Sequence, residues 1–409
     1  MNAPASVPTG FRPDKPLKLT SQQFADNRWE YYRYLREHMP VHESKLVGTK
    51  LFLTARYEDC LLVMKDDRFI RNRSTITGGN RFPFPVPKSL RYLGESMIVE
   101  DDPQHRRLRQ LVQKAFSPKS LSNVEQLVTD WSDELADDCA TKGEFNIQQD
   151  FAVTVPARAI GAMMGIDEGD IDEFRHMLNV LSEGLTGWRI ARTVLWDLRK
   201  VSAFMKKLVE KKKKHLGDDI LSGLIEANID GDRLTEEEVI TMAFLLVVAG
   251  FETTSSLISN GVITFDRHRD QLAKLKANPD LWGSAVEELL RYAGPVHGTK
   301  LNYAKQDVEL RGVTIPKGQP VMPLIGSANR DEEVFEHADL FDVQRDPNRH
   351  LSFSQGNHFC LGAFLARMET KIAFKALYKR MPDLQIIGEP QQVAMPGWYR
   401  YKDYRVRAA

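Results

Sequence analysis

Apolar residues recur at helical spacing along four long stretches, Leu121–Ala140, Trp196–His215, Thr235–Arg267 and Asn278–Tyr292, and predict amphipathic helices there. Two other stretches alternate instead. Lys45–Thr54 reads as a hairpin turning at Gly48-Thr49, and Asp307–Leu324 alternates around Gly312 and the Pro316-Lys317-Gly318 turn. Helical patterns dominate, and no internal period or low-complexity linker divides the chain. The expected fold class is mainly α with small β-sheets.

The stretch from Thr235 has the most explicit start. Thr235 can cap it while Glu238, three residues on, reaches back to close a capping box, and Leu234 and Val239 take the staple positions. A helix continuing to Arg267 is roughly 50 Å long at about 1.5 Å per residue, enough to cross a whole domain. Its middle reads Ala249-Gly250-Phe251-Glu252-Thr253-Thr254, where glycine and polar residues interrupt an apolar run. A local kink is expected there, or a threonine bonded back to the carbonyl one turn earlier.

Composition acts mainly by exclusion. Lysine plus arginine equal aspartate plus glutamate at 56 each in 409 residues, so the charge balance points to no nucleic-acid partner. Three scattered cysteines, Cys60, Cys139 and Cys360, make no disulfide framework and suggest a reducing, cytoplasmic setting. Met1–Thr20 has neither the apolar core of a secretory signal nor that of an anchor, and no later run of consecutive apolar residues reaches membrane-span length. A soluble protein without a membrane partner is expected. The basic run Lys211–Lys214 reads as a solvated helix end.

The chemistry concentrates in Phe353-Ser-Gln-Gly-Asn-His-Phe-Cys360-Leu-Gly-Ala-Phe-Leu-Ala-Arg-Met-Glu369. A glycine-containing loop delivers a cysteine just before a helix, where free backbone N–H groups and the positive helix end favour the thiolate. Gly356 and Gly362 omit side chains where the backbone would pass a flat macrocycle. Taken alone, a cysteine such as Cys360 is more often a small buried apolar residue. The set Phe353, Gly356, His358, Cys360, Gly362, Ala366 and Glu369, however, resembles the haem-binding loop of cytochromes P-450 position by position.

That resemblance extends from about Arg28 to Arg405. It implies an N-terminal extension over 1–27 and a single cytochrome P-450 domain over 28–409, with the haem between the I and L helices. It implies heme b (iron protoporphyrin IX) with Cys360 as the iron ligand, and Ala249, Phe353, Gly356 and Gly362 beside it. Asp102-Pro103-Gln104-His105 looks like the start of the C helix, with Asp102 as cap and Pro103 at the first helical position. His105 and Arg109, four apart, would share a face and hold haem propionates together with His358. Asn302 stands where related sequences often carry an arginine for a propionate, and Lys300 could substitute. Ser354 stands where glycine is common.

Glu288-Leu-Leu-Arg291 resembles the E-x-x-R signature, with Arg345 as its expected third member in a structural network. Glu252 and Thr253 match the acid–alcohol pair that delivers protons during oxygen activation. The implied activity is that of a haem-thiolate monooxygenase inserting one oxygen atom from dioxygen, by hydroxylation or epoxidation, into a hydrophobic terpenoid, steroid, fatty acid or polyketide-like molecule. Ile98, Leu245, Val248, Gly298 and Trp398 are candidate substrate contacts by position. His297 is a candidate for polar recognition or a rim residue, and Met177–Trp196 is the expected lid. Without a flavin, nicotinamide or iron–sulfur segment, electrons should come from a ferredoxin or flavodoxin with an NAD(P)H-dependent reductase, docking near Arg106, Arg107 and Lys114. A peroxide-driven hydroxylase and a haem-binding sensor or ligand carrier are the alternatives.

Overall fold

A computed structural model describes residues 6–46, 48–78, 96–116, 123–170, 173–174, 177–178, 198–298 and 301–408. The N-terminal region opens with α1 (Gln22–Asp26) and α2 (Arg28–His38). In α2 the buried positions are Arg28, Tyr31, Tyr32, Leu35 and Arg36, the single stripe that a 3.6-residue period places against a core. Residues before α2 belong to that core too, because Phe11, Leu17, Leu19 and Phe24 are buried with Tyr31, Tyr32, Leu51 and Leu53.

The expected hairpin is β1 (Val41–Leu46) and β2 (Thr49–Thr54), paired from Val41↔Thr54 to Leu46↔Thr49. Next come α3 (Tyr57–Lys65) and the short β3 (Phe69–Ile70). The following helices are α4 (Gln104–Ala115), α5 (Val124–Lys142), α6 (Thr154–Met163), α7 (Leu198–Lys214) and α8 (Ile220–Glu226). A two-residue ribbon, β4 (Asn228–Ile229) with β5 (Asp232–Arg233), leads into α9 (Glu236–Arg267). Then follow α10 (Arg269–Ala277), α11 (Trp282–Ala293), β6 (Asn302–Ala304), β7 (Val308–Leu310), β8 (Val313–Ile315), β9 (Pro320–Pro323), α12 (Ile325–Ala328), α13 (Ala363–Arg380), β10 (Gln385–Ile387) and β11 (Arg405–Arg407).

The chain folds into two compact units. One comprises Met1–Gly78, Ser256–Ala363 and Asp383–Ala409; the other comprises Gly79–Ser255 and Phe364–Pro382. The first holds a five-stranded sheet of order β1-β2-β9-β6-β3. Strand β2 is buried from Leu51 to Thr54 because β9 pairs with its second edge in parallel, Val321 opposite Phe52. The β7–β8 ribbon turns through Arg311 (φ 53°) and Gly312 (φ 76°), two left-handed residues as a tight hairpin requires. In the second unit α4 and α8 approach so closely that a β-carbon on Gly223 would lie 3.0 Å from the Ala115 Cα.

The capping box at α9 forms as expected. The Thr235 N–H donates to Glu238 Oε2 (2.8 Å) and the Glu238 N–H to Thr235 Oγ1 (3.2 Å). The helix runs without interruption from Glu236 to Arg267. Thr253 Oγ1 donates to the Ala249 carbonyl one turn back, at 2.7 Å, as expected for a threonine in such a run. By length and hydropathy α9 could cross a bilayer, but 72% of its most apolar window is buried within the protein, as befits a core helix.

Candidate active site

The cysteine loop is held by backbone bonds before any ligand is considered. Ser354 N–H donates to the Leu351 carbonyl (2.8 Å), and Phe359 N–H to that of Gly356 (3.1 Å). Cys360 N–H donates to the Phe353 carbonyl (2.9 Å), closing a loop that ends three residues before α13. Gly356 is left-handed (φ 71°), and a β-carbon there would sit 2.9 Å from the Met64 carbonyl of α3, so protein packing already requires glycine. Gly362 differs: a β-carbon there would meet no protein atom within 4 Å, which is room for a flat group. Ser354 is left-handed as well (φ 62°), the physical reason glycine suits that position.

Cys360 is exposed, whereas Cys60 and Cys139 are buried. Burial pushes both of those thiols up to about 12, so neither offers a thiolate at neutral pH. Among the described residues no cluster of three or more His, Cys, Asp or Glu could hold a bare metal ion. A lone exposed thiol therefore suits an iron that brings its other ligands with it, as haem does. Phe353 is buried beside His350 and Phe359, and His358 is half-buried in the turn before Cys360.

Behind the loop, Glu288 and Arg291 of α11 meet Arg345. Arg291 Nε and Nη2 each lie 2.7 Å from a Glu288 oxygen, and Arg345 Nε lies 3.2 Å from Oε1. Arg291 also donates to the carbonyls of Asn329, Ala338 and Leu340. Asn329 carries this order onward: its Oδ1 accepts the Leu351 N–H (2.7 Å) and its Nδ2 donates to Ser352 Oγ (2.9 Å). Sequence reasoning found the three charged residues, while the part Asn329 plays depends on a contact no local pattern encodes.

In the second unit the middle of α9 stands out. Between Val239 and Ser255 every residue is buried except Leu246, Val248, Ala249, Gly250 and Thr253. Leu246, Ala249, Gly250 and Thr253 follow the i, i+3, i+4, i+7 rule, so a core helix presents one small apolar face with a hydroxyl at its end. That face fits a flat apolar group or a hydrophobic substrate. Leu245 and Glu252 are buried, and Ile98 is half-buried in a short turn at Met97–Val99.

Helix α4 begins at Gln104 with Pro103 in the N-cap position, one residue later than expected. Asp102 does not occupy the cap; its carboxylate holds Arg106 (2.8 Å) and lies 3.5 Å from His105 Nδ1. His105 is buried and Arg109 half-buried one turn on. Burial and the Arg109 charge hold His105 below its usual value, with Asp102 opposing them. A histidine N–H and a guanidinium on one face can both donate to an anionic group such as a carboxylate. Arg107 is committed elsewhere, to Asp232 (2.7 and 2.8 Å) and Glu238 (2.7 Å), and Lys114 donates to the Asn228 carbonyl, so neither is a loose surface charge. Lys211, Lys212 and Lys213 likewise meet Asp167 and Asp170, Asp219, and Glu236.

Gly298 and Trp398 fall together in the first unit. Val296 bridges Trp398, and the N–H groups of His297 and Gly298 both donate to the Gly397 carbonyl (2.8 and 3.0 Å). His297 itself is a core residue, 2% exposed, and so is neither a rim nor a pocket histidine. Asn302 is buried in β6 opposite Val321. Lys300, and Met177–Trp196 apart from Met177 and Leu178, lie outside the described residues.

The family model "Cytochrome P450" matches residues 8–380. The polyketide biosynthesis cytochrome P450 PksS of Bacillus subtilis (strain 168) is 35% identical over 377 residues, 91% of this chain and 93% of that protein. The vitamin D(3) 25-hydroxylase of Pseudonocardia autotrophica is 34% identical, covering 90% of each. A solved structure of P450BioI in complex with hexadec-9Z-enoic acid ligated acyl carrier protein superposes with TM-score 0.85 at 32% identity, over 95% of this chain and 100% of that one.

Proposed function

This chain belongs to the cytochrome P450 family, a haem-thiolate monooxygenase with heme b as cofactor and a hydrophobic substrate, and from there we propose that the substrate is an extended acyl or polyketide-like molecule. The observation that carries the site assignment is the exposed Cys360 at the end of a hydrogen-bonded glycine loop, in a chain whose other thiols are buried. The polyketide relative and the acyl-carrier complex support an elongated apolar substrate, as does the apolar face of α9.

When bound, the haem supplies dioxygen activation, and a thiolate ligand favours O–O cleavage. The chain's residues do the rest. Cys360, whose N–H donates to the Phe353 carbonyl, would hold the iron as thiolate. His105, Arg109 and His358 would donate to the carboxylates of the cofactor, with Lys300 as a further donor, and Ala249, Phe353, Gly356 and Gly362 would complete the binding residues. Ile98, Leu245, Val248, Gly298 and Trp398 contact substrate and exclude water. Thr253 Oγ1, now donating to the Ala249 carbonyl, keeps lone pairs for an ordered water, and on rotating away can itself donate. Glu252 supplies protons to that hydroxyl.

Electrons come from a separate ferredoxin or flavodoxin and its reductase, in the cytoplasm. Arg106 is the charge on α4 best placed to meet an acidic partner, its side chain 70% exposed beside Asp102. A peroxide-driven hydroxylase is the rival reading, and the Glu252-Thr253 pair favours the dioxygen route. Turnover of hexadec-9Z-enoic acid with ferredoxin, reductase and isotopically labelled dioxygen tests the choice. Label in the product supports it; product formed only on adding peroxide overturns it.

A further inference from the structure

Arg28, the first residue of α2, is 1% exposed, and among the described residues it meets no carboxylate. Its Nη1 donates to His297 Nδ1 (3.2 Å) and to the Trp398 carbonyl, while its Nε finds no acceptor among the described residues. A guanidinium only donates, so His297 Nδ1 accepts and the ring carries its proton on Nε2. The imidazole is locked on every side. It stacks on Tyr399 (centroids 4.8 Å apart, planes at 10°), and Trp29 meets it edge-on at 5.1 Å. Gly326 leaves the ring its space, since a β-carbon there would come within 2.5 Å of it. A second buried cation, Arg330, lies between Trp29 (3.5 Å) and Tyr292 (3.9 Å).

Burying a charge without a counter-ion is costly, and apolar side chains would bind the two segments together more cheaply. What a charged donor of fixed geometry adds is one register. Arg28 bonds both segments at once, the one carrying Gly298 and the one carrying Trp398, through the side chain of His297 and the carbonyl of Trp398. The approach is tight: a β-carbon on Gly298 would lie 3.0 Å from the Gly397 Cα and 2.8 Å from Met322 Sδ.

We propose that Arg28 and His297 form a positioning clasp that sets where Gly298 and Trp398 stand and thereby the length of substrate the pocket accepts. The inference rests on the reading that Gly298 and Trp398 line that pocket. It makes specificity depend on residues that touch no substrate, one of them in the N-terminal helix.

The test uses the haem-loaded protein and a series of N-alkylimidazoles from butyl to dodecyl, which ligate the iron and send their tails into the pocket whatever the natural substrate. Wild-type affinity should rise with tail length to a cut-off. In Arg28→Met and His297→Gln the cut-off should move, changing affinity for the best tail by at least about tenfold, the scale on which one methylene of misfit discriminates. Unsubstituted imidazole should bind unchanged. Trp398→Ala and Gly298→Ala are read in parallel. If they leave the tail profile unaltered, the pocket assignment fails. If they shift it while the clasp variants only lose thermal stability, the pocket stands and the clasp is overturned. Should Arg28→Met fail to load haem, Arg28→Lys, which keeps the charge and loses the forked geometry, decides by the same profile.

Discussion

Replacing Glu288 with glutamine should destabilise the protein more than any surface charge change, and the size can be worked from its contacts. The carboxylate receives Arg291 twice, Arg345 once, the Asp342 N–H (2.9 Å) and Asn348 Nδ2 (3.0 Å), with its own side chain 0% exposed. Glutamine keeps the shape but turns one oxygen into a donor facing donors and leaves Arg291 without a counter-charge. Breaking a buried pair this way costs about 3–5 kcal/mol. The three carbonyls bound by Arg291 stay in place and offset part of that, so about 3 kcal/mol is expected. For 409 residues unfolding together, an unfolding entropy of about 0.9 kcal/mol/K makes this roughly 3–4 °C in Tm. Calorimetry and guanidinium titration of the haem-loaded protein provide the measurement, with Asn348→Ala, which removes one donor, as the calibrating variant at about 1–2 kcal/mol. A Glu288→Gln loss below about 1 kcal/mol, or no larger than that of Asn348→Ala, would refute the reasoning.

Three further outcomes follow from the site. His105→Ala and Arg109→Ala should each weaken cofactor retention by roughly 1.5–3 kcal/mol and speed haem transfer to apomyoglobin; unchanged loss in the double variant would remove α4 from the site. Thr253→Ala should bind substrate normally yet release hydrogen peroxide in place of product, measured as product formed per reduced nicotinamide consumed; tight coupling would disqualify Thr253. Glu369 of α13 is 1% exposed, and burial pushes its carboxyl well above 4.5. As pH rises past that value the unfolded chain releases a proton that the folded one keeps, so stability falls. Glu369→Gln should match wild type in acid and exceed it increasingly towards neutral pH; parallel pH–stability curves would contradict this.

Much of this was legible in the sequence. The Thr235–Glu238 box, the Gly48 and Gly312 turns and the cysteine loop are local patterns, and each formed where side-chain chemistry or backbone freedom demanded it. The chain's P450 membership and haem cofactor were readable from the Phe353–Glu369 loop, and the family match agrees. What local patterns could not supply is long-range. Arg107 looked like a docking charge until the β4–β5 ribbon brought Asp232 beside it, across 125 positions. His297 looked like a polar-recognition or rim residue until the fold set Trp29 and Tyr399 against it. Pro103 occupies the cap that Asp102 was expected to fill, because the carboxylate found Arg106 instead.

The central claim is that Cys360, and neither of the two buried cysteines, binds the haem iron as a thiolate. The most direct test is the absorption spectrum of the reduced protein under carbon monoxide, for wild type, Cys360→His and the Cys60→Ser/Cys139→Ser double variant. Wild type and the double variant should show the strongly red-shifted Soret band of thiolate-bound haem, and Cys360→His should lose it even where haem is retained. A wild-type spectrum resembling that of an imidazole-ligated globin, or a red-shifted band that survives in Cys360→His, would contradict the account.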